Sequence, residues 1–274
     1  MLKAYVINLD RSPERMERMR ALLCAMKIPF ERVTAVDGSV LTHQELKEKV
    51  SVELGALPPF PAQLGCFLSH RAVWQRISDS RDDYGLVLED DVIFARNFAQ
   101  IIAEPKLFNG FPDIIRLEGW PEKVRIPSDG EVLDDGYKLH RLAWDTSGSC
   151  GYLLSRTGAA MLLKAEKHYR YPVDHLLFRA QSGLSETLSI KAIVPAACFQ
   201  YLFYHGHAED YMKSTIARAK LQNPQKNGTK KLPHIRIYKE IKRNIRNAID
   251  FAVASRLKAV NLHPCGPLAL PDDK

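Results

Sequence analysis

Three consecutive carboxylates, Glu89-Asp90-Asp91, follow directly after the apolar run Leu86-Val87-Leu88. A short, continuous apolar run is typical of a strand that is buried on both faces. Carboxylates at the end of such a strand repel one another and are poorly solvated, so we expect a positive group to compensate them. If the chain stays extended there, Glu89 and Asp91 face one way and Asp90 faces the other.

Two carboxylates on one side of a strand suit Mg²⁺ or Mn²⁺, which are hard cations that prefer carboxylate and phosphate oxygens. A cation held by Glu89 and Asp91 would neutralise a diphosphate leaving group. The same triplet can instead be a solvated loop or a helix-capping acid, and its residue types leave that alternative open.

The elements that must position this triplet read as alternating strands and helices. Residues 4–8 and 30–33 are predicted strands, and the helix between them begins with Ser12 as N-cap and Pro13 in the first helical position. This β-α-β unit predicts parallel strands and a ligand site at their carboxyl ends. Further strands are predicted at residues 86–88, 113–117, 151–155 and 190–194, and helices at residues 64–77, 157–167 and 176–180.

Four polar residues follow the first predicted strand, where the β-α-β unit places a ligand. Asn8 or Asp10 is a candidate hydrogen-bond partner for a nucleotide base or ribose, and Arg11 or Arg15 for a phosphate. A surface helix with solvated charges is the alternative.

Four other residues have side chains that bind ligands or metals in many proteins. His70, beside Ser69 in the predicted helix, either supports the site or contacts the ligand. Cys66 in the same helix is predicted to be a small core residue, because no nearby base would activate it. His205 and His207 form an H-x-H pair that could bind a metal if it lies on a strand. Contact with a sugar or phosphate, or no role in a site, are the alternatives.

The composition of this 274-residue chain is that of a soluble globular protein, with 46% hydrophobic and 26% charged residues. The five cysteines are far apart and include no C-x-x-C pair, which argues against a disulfide framework and a structural zinc site. Reduced thiols, and the lack of a leader-like start or a run of ~20 apolar residues, predict a cytoplasmic protein.

Positive charge is concentrated near the C-terminus. Residues 213–258 contain 13 Lys and Arg against 2 Asp and Glu, whereas the rest of the chain is net negative. We predict a catalytic domain at residues 1–221, a linker at 222–232 and a basic helix with an irregular tail at 233–274. The helix either binds an anionic membrane surface from the cytoplasmic side or packs on the domain.

Four motifs in this order resemble glycosyltransferase family 25, over roughly residues 1–200. They are Val6-Ile7-Asn8-Leu9-Asp10-Arg11-Ser12-Pro13-Glu14-Arg15, Val36-Asp37-Gly38, Gly65-Cys66-Phe67-Leu68-Ser69-His70 and Leu88-Glu89-Asp90-Asp91-Val92. The resemblance implies a GT-A-like α/β fold with a mostly parallel sheet flanked by helices. It also implies transfer of a hexose, galactose foremost, from a UDP-sugar to a lipooligosaccharide or lipopolysaccharide acceptor, with inversion and with Mn²⁺ or Mg²⁺ as cofactor.

The resemblance also distributes roles among residues. Glu89 and Asp91 take the place of the metal-binding acids. The expected contacts to the UDP-sugar come from Asn8, Asp10, Arg11, Arg15, Asp37, Ser69, His70, Glu89 and Asp90. An inverting transfer is one in-line displacement that needs a general base for the acceptor hydroxyl, and the candidates are Asp174, then Glu118 and Asp145.

Two other classes of protein fit parts of the sequence. A nucleic-acid-binding protein would use the basic segment 213–258, but the rest of the chain is acidic and carries no nucleic-acid motif, so no nucleic-acid partner is expected. A metal-dependent phosphohydrolase would use Glu89-Asp90-Asp91, although such enzymes usually cluster more His and Asp ligands in sequence.

Overall fold

The computed structural model describes residues 2–51, 61–119, 124–127, 129–142, 145–201 and 257–260. The strands are β1 Lys3–Asn8, β2 Phe30–Thr34, β3 Tyr84–Glu89, β4 Val92–Phe94, β5 Ile114–Arg116, β6 Val124–Pro127, β7 Glu131–Val132, β8 Lys138–Arg141, β9 Gly151–Ser155, β10 Ile190–Val194, β11 Cys198–Gln200 and β12 Leu257–Val260. The α-helices are α1 Pro13–Ala25, α2 His43–Lys49, α3 Pro61–Asp79, α4 Phe98–Ala103, α5 Arg156–Ala165 and α6 Val173–Phe178.

Eight of these strands form one sheet in the order β2-β1-β3-β9-β5-β10-β8-β7. Strand β1 pairs in parallel with both β2 and β3, as the β-α-β unit predicts. Strand β9 runs antiparallel to β3 and β5, and β8 runs antiparallel to β10 and β7. Because β5 and β10 are parallel, all strands of this sheet except β8 and β9 point the same way. The predicted α/β class with a mostly parallel sheet flanked by helices is confirmed.

The sheet has a hydrophobic core on each face, so the domain has three layers. Alternation along β1 divides its side chains between them: Ala4 and Val6 pack with α1 and α4, whereas Tyr5 and Ile7 pack with α3. The run Leu86-Val87-Leu88 within β3 is fully buried and contributes to the cores on both faces, as its apolar character predicts. Burial of each such aliphatic side chain stabilises the fold by roughly 1.5–3 kcal/mol.

Two glycines let α3 lie directly against the loop that follows β2. A Cβ atom on Gly65 would sit 2.5 Å from the Val36 carbonyl oxygen, and one on Gly38 would sit 2.0 Å from the Pro61 carbonyl oxygen. Any larger residue would force the two segments apart. This contact brings the Gly-Cys-Phe motif of α3 beside the carboxyl end of β2.

Several predicted boundaries differ from the structure. Helix α3 begins three residues earlier than predicted, and α6 spans Val173–Phe178 rather than residues 176–180 because Pro172 stands at its N-cap. Ser12 stands at the N-cap of α1 as predicted, but its side chain makes no capping hydrogen bond.

The C-terminal predictions lie mostly outside the described residues, including the linker, the basic helix, His205 and His207. Within that segment Leu257–Val260 forms an unpredicted strand that pairs antiparallel with Val124–Pro127. Over the described ranges, none of the helices is both long and apolar enough to span a membrane.

Candidate functional site

The acidic triplet lies where β3 ends, but the chain does not stay extended there. Glu89 is the last residue of β3, and Asp90 and Asp91 form a turn before β4. The alternation expected for an extended chain is therefore wrong, and all three acids line one pocket. The reason is that the chain reverses after Glu89 to reach β4, which pairs with β11 outside the main sheet.

The pocket is formed at the carboxyl ends of the three parallel strands β1, β2 and β3. Its volume is about 660 Å³ when the open solvent at its mouth is included. The loops after β1 and β2 and one face of α3 supply the rest of its wall. The lining residues are Ile7, Leu9, Arg11, Arg15, Ala35, Val36, Asp37, Gly38, Ala62, Cys66, Ser69, His70, Glu89, Asp90 and Asp91.

Asp90 is neutralised by the protein itself. Arg15 of α1 donates a hydrogen bond of 2.8 Å to its Oδ1, and the Asn8 side chain donates one of 2.8 Å to its Oδ2. Burial still raises the pKa of Asp90, although Arg15 acts against this effect. This buried ion pair ties the β3 turn to the first β-α unit.

Glu89 and Asp91 have less compensation. Burial disfavours the charged form of Glu89, but the His70 imidazole, 3.4 Å away, and the Ser149 hydroxyl, at 2.9 Å, outweigh it and lower the pKa. Burial, and then the charges of Glu89 and Asp90, raise the pKa of Asp91 to about 8. Oδ1 of Asp91 is buried and has no hydrogen-bond partner among the described residues.

These two acids fit a hard divalent cation. A buried carboxylate oxygen without a donor, next to a second carboxylate, is the arrangement that a bound Mg²⁺ or Mn²⁺ would stabilise. Asp90 does not belong to that set, because Arg15 and Asn8 already satisfy both of its oxygens.

The residues expected to contact a nucleotide fall into two groups. Arg11, Arg15, Asp37, Ser69 and His70 line the pocket, and Arg11 forms an ion pair with Asp37 at its rim. Asn8 and Asp10 are not in the lining. Asp10 is exposed and forms an ion pair with Arg32.

Asn8 and Ser69 are better described as positioning residues than as ligand contacts. The Asn8 amide donates to Ser12 and Asp90 and accepts from Arg32, so its groups are used within the protein. The Ser69 hydroxyl accepts from the Val36 amide and donates to the Gly65 carbonyl oxygen. Ser69 thereby fixes the loop after β2 against α3.

The three general-base candidates lie outside the pocket lining. Asp174 is in the first turn of α6, rather than before the helix, and accepts a hydrogen bond of 3.1 Å from the Gly148 amide. Glu118 is buried, accepts from the Cys150 amide, and has its pKa raised to about 8 by burial. Asp145 is exposed and accepts from the Ala180 amide.

Sequence reasoning missed the partners that hold Glu89 and His70. Ser149 bonds Glu89, and Tyr152 of β9 bonds His70 Nδ1 at 2.9 Å. A Tyr in an apolar strand carries no local signal that its hydroxyl serves a site. Cys66, predicted to be a core residue, lines the pocket. Its sulfur and the ligand atoms of His70 and Glu89 lie within 4.8 Å of one another.

An acid-lined pocket at the carboxyl ends of parallel strands lies where α/β proteins of this class hold their ligands. Residues 1–177 match the family model described as "Glycosyltransferase family 25 (LPS biosynthesis protein)". The chain therefore belongs to glycosyltransferase family 25.

Three relatives illustrate the range of the family. A "Glycosyltransferase 25 family member" of Anopheles gambiae is 26% identical over 250 residues, which are 84% of this chain and 41% of the relative. "Procollagen galactosyltransferase 2" of Mus musculus is 30% identical over 63% of this chain and 29% of its own length. "Inactive glycosyltransferase 25 family member 3" of the same organism is 31% identical over 64% of this chain and 31% of its own length. This chain thus spans between about three and four tenths of these relatives.

The pKa of Asp91 leads to a prediction about pH and stability. Its folded value of about 8 lies above the unfolded value of ~3.9, so the metal-free fold loses stability as pH rises from about 4 to 8. Asp91→Asn removes that loss. At pH 8 with a chelator, we expect the variant to melt at least about 3 °C above the wild type.

Thermal melts from pH 5 to pH 8 in EDTA measure this difference. Asp79→Asn is the control, since Asp79 is exposed at the end of α3 and bonds only locally to Gln75. A melting difference for Asp91→Asn that stays constant across this pH range would contradict the prediction.

Proposed function

We propose that this chain is an inverting, metal-dependent hexosyltransferase. It takes a hexose, galactose foremost, from a UDP-sugar and transfers it to a lipooligosaccharide or lipopolysaccharide acceptor. One observation carries the proposal: a family 25 chain has Glu89 and the incompletely bonded Asp91 together in the lining of a pocket at the carboxyl ends of its parallel strands.

Different side chains around the pocket would bind the cation and the phosphates of a nucleotide diphosphate. A Mg²⁺ or Mn²⁺ ion held by Glu89 and Asp91 would stabilise the negative charge of the departing diphosphate. The Arg11 guanidinium, half-exposed at the rim, is the cation best placed to exchange its Asp37 partner for a phosphate. Arg15 stays with Asp90 and keeps the turn in place.

Exposure and charge favour Asp174 as the general base. Glu118 has a pKa of about 8 and only 2% exposure, so it carries a proton at neutral pH and cannot reach an acceptor hydroxyl. Asp145 and Asp174 both lie outside the pocket lining, but Asp145 is exposed whereas Asp174 is only about one-quarter exposed. After burial, the charges of Glu89 and Asp174 raise the pKa of the Cys66 thiol, which places Asp174 near a residue that lines the pocket.

Family membership alone does not establish activity, because one relative is named inactive. The acceptor is equally open to test, since other relatives are named procollagen galactosyltransferases. The lipooligosaccharide acceptor therefore rests on the family description and on the sequence resemblance.

Release of UDP from a panel of UDP-hexoses, with and without Mn²⁺, tests the reaction. Core oligosaccharide from a lipooligosaccharide and a hydroxylysine peptide serve as acceptors. We expect acceptor-dependent release that needs Mn²⁺, and a loss of at least about 100-fold in kcat/KM for Asp91→Asn, since a catalytic cation supplies several kcal/mol. Asp79→Asn is the control for this substitution.

Each outcome of that assay has a distinct meaning. Mn²⁺-dependent release that ignores the acceptor would indicate a phosphohydrolase instead. Undiminished transfer by Asp91→Asn would contradict the proposed cation site. Transfer to the hydroxylysine peptide alone would replace the proposed acceptor and leave the reaction class intact.

The general base is tested by comparing two isosteric substitutions. Asp174→Asn removes the proton acceptor while keeping an oxygen for the Gly148 amide, so we expect kcat to fall by about 100-fold or more with little change in the KM for the donor. Asp145→Asn changes an exposed carboxylate and should lower kcat by less than about threefold. The reverse order of effects would assign the base to Asp145.

Membrane association is a proposal that rests on the basic segment 213–258. Replacing Lys239, Lys242, Arg243 and Arg246 with Gln removes four positive charges, each worth about 1 kcal/mol at an anionic surface. We expect the full-length variant to cosediment with anionic vesicles at least about tenfold less than the wild type. Equal sedimentation of both proteins with anionic vesicles would contradict a peripheral location at the cytoplasmic membrane. So would wild-type binding to neutral vesicles that equals its binding to anionic ones.

A further inference from the structure

A chain of buried polar groups runs from the interior of the domain to the cation-binding acids. The Trp74 indole donates a hydrogen bond of 2.8 Å to the Tyr152 hydroxyl, which lies 2.9 Å from His70 Nδ1. On the other side of the ring, His70 Nε2 lies 3.4 Å from Oε1 of Glu89. The side chains of Trp74, Tyr152 and His70 are fully buried.

The donor and acceptor roles in this chain follow from the first group. An indole N–H can only donate, so the Tyr152 oxygen accepts from Trp74. Among the described residues, the acceptor within reach of the Tyr152 hydroxyl proton is His70 Nδ1. A neutral His70 that accepts at Nδ1 carries its proton on Nε2, facing the Glu89 carboxylate.

The opposite tautomer is unfavourable on two counts. It would leave the buried Tyr152 hydroxyl proton without an acceptor, and it would turn a lone pair of His70 towards a carboxylate oxygen. The tautomer of His70 also decides whether Cys66, His70 and Glu89, whose ligand atoms are close together, can hold a metal. A proton on Nε2 removes the nitrogen ligand that such a metal would need.

Glu89 has both of its described polar partners at one oxygen, and one of them, His70 Nε2, is too far away to complete a hydrogen bond. The Ser149 hydroxyl donates to Oε1 at 2.9 Å, and His70 Nε2 approaches the same atom at 3.4 Å, a long contact for a hydrogen bond. The second oxygen, Oε2, is the one available to a ligand in the pocket. Groups that fix a carboxylate in this way raise its affinity for a metal, and their loss typically weakens binding 10- to 100-fold.

We infer that Tyr152 and Trp74 are positioning residues that act through His70 to hold Glu89 with Oε2 directed at the cation. The inference rests on the proposed function in one respect only, namely that Glu89 takes part in binding a divalent cation. Tyr152 and Trp74 touch neither the pocket nor the acids, and they act by fixing the tautomer and orientation of the imidazole.

The experiment measures Mn²⁺ binding to the full-length protein directly, from the free Mn²⁺ signal in electron paramagnetic resonance, with and without UDP. Tyr152→Phe removes the hydroxyl proton and should raise the Kd for Mn²⁺ at least about tenfold. Tyr84→Phe is the matched control, because its hydroxyl also donates one interior hydrogen bond, to the Pro112 carbonyl oxygen. It should lose stability without changing the Kd.

Two substitutions at His70 separate positioning from packing. Asn places its amide near Nδ1, where it reaches Tyr152 but not Glu89, whereas Gln places an N–H near Nε2, where it can still donate to Glu89. We therefore expect His70→Asn to weaken Mn²⁺ binding as much as Tyr152→Phe does, and His70→Gln to weaken it less. All Kd values are measured at a temperature where circular dichroism shows each variant fully folded.

Four results would overturn the inference. The first is an unchanged Kd in folded Tyr152→Phe, and the second is an equal effect of Asn and Gln at position 70. The third is a wild type that binds no Mn²⁺ with or without UDP. The fourth is a thiolate charge-transfer band with Co²⁺ that Cys66→Ser abolishes and Cys24→Ser keeps, since the cluster that includes His70 Nε2 would then hold the metal. Normal Mn²⁺ binding without sugar transfer would contradict the proposed function and leave the positioning role standing.

Discussion

Three carboxylates packed together where β3 ends and the chain turns form the constraint around which the rest of the site is arranged. Each added negative charge makes the next harder to ionise, because burial removes the water that would solvate them. The protein compensates two of the three with its own groups. Asp90 receives Arg15 and Asn8, and Glu89 receives Ser149 and the His70 imidazole. Asp91 is left with a pKa of about 8, so its ionised form is the one that a bound cation would stabilise most.

That compensation ties together elements that are distant in sequence. Arg15 belongs to α1, His70 to α3 and Ser149 to the segment before β9, yet all of them meet at the end of β3. The glycine contacts between α3 and the loop after β2 hold the helix that carries His70 against that loop.

The family relationship and the site answer different questions. The match over residues 1–177 covers β1 through most of α6, and so includes every pocket-lining residue of the described structure. It identifies the family. It does not decide whether a reaction proceeds, because relatives of similar identity carry both active and inactive names.

The sequence by itself determined the α/β class, the parallel β1-β2 pair and the position of the acidic triplet at the end of a buried strand. These features depend on local periodicity and on apolar runs, which can be recognised in the sequence itself. Only the tertiary structure decided that β9 runs antiparallel in the middle of the sheet, that the triplet forms a turn, and that Asn8 and Ser69 position other groups. The Tyr152–His70 contact, between residues 82 positions apart, likewise became visible only in the fold. Periodicity indicates which face of an element is buried, whereas the partner of a buried polar group depends on which distant segment packs against that face.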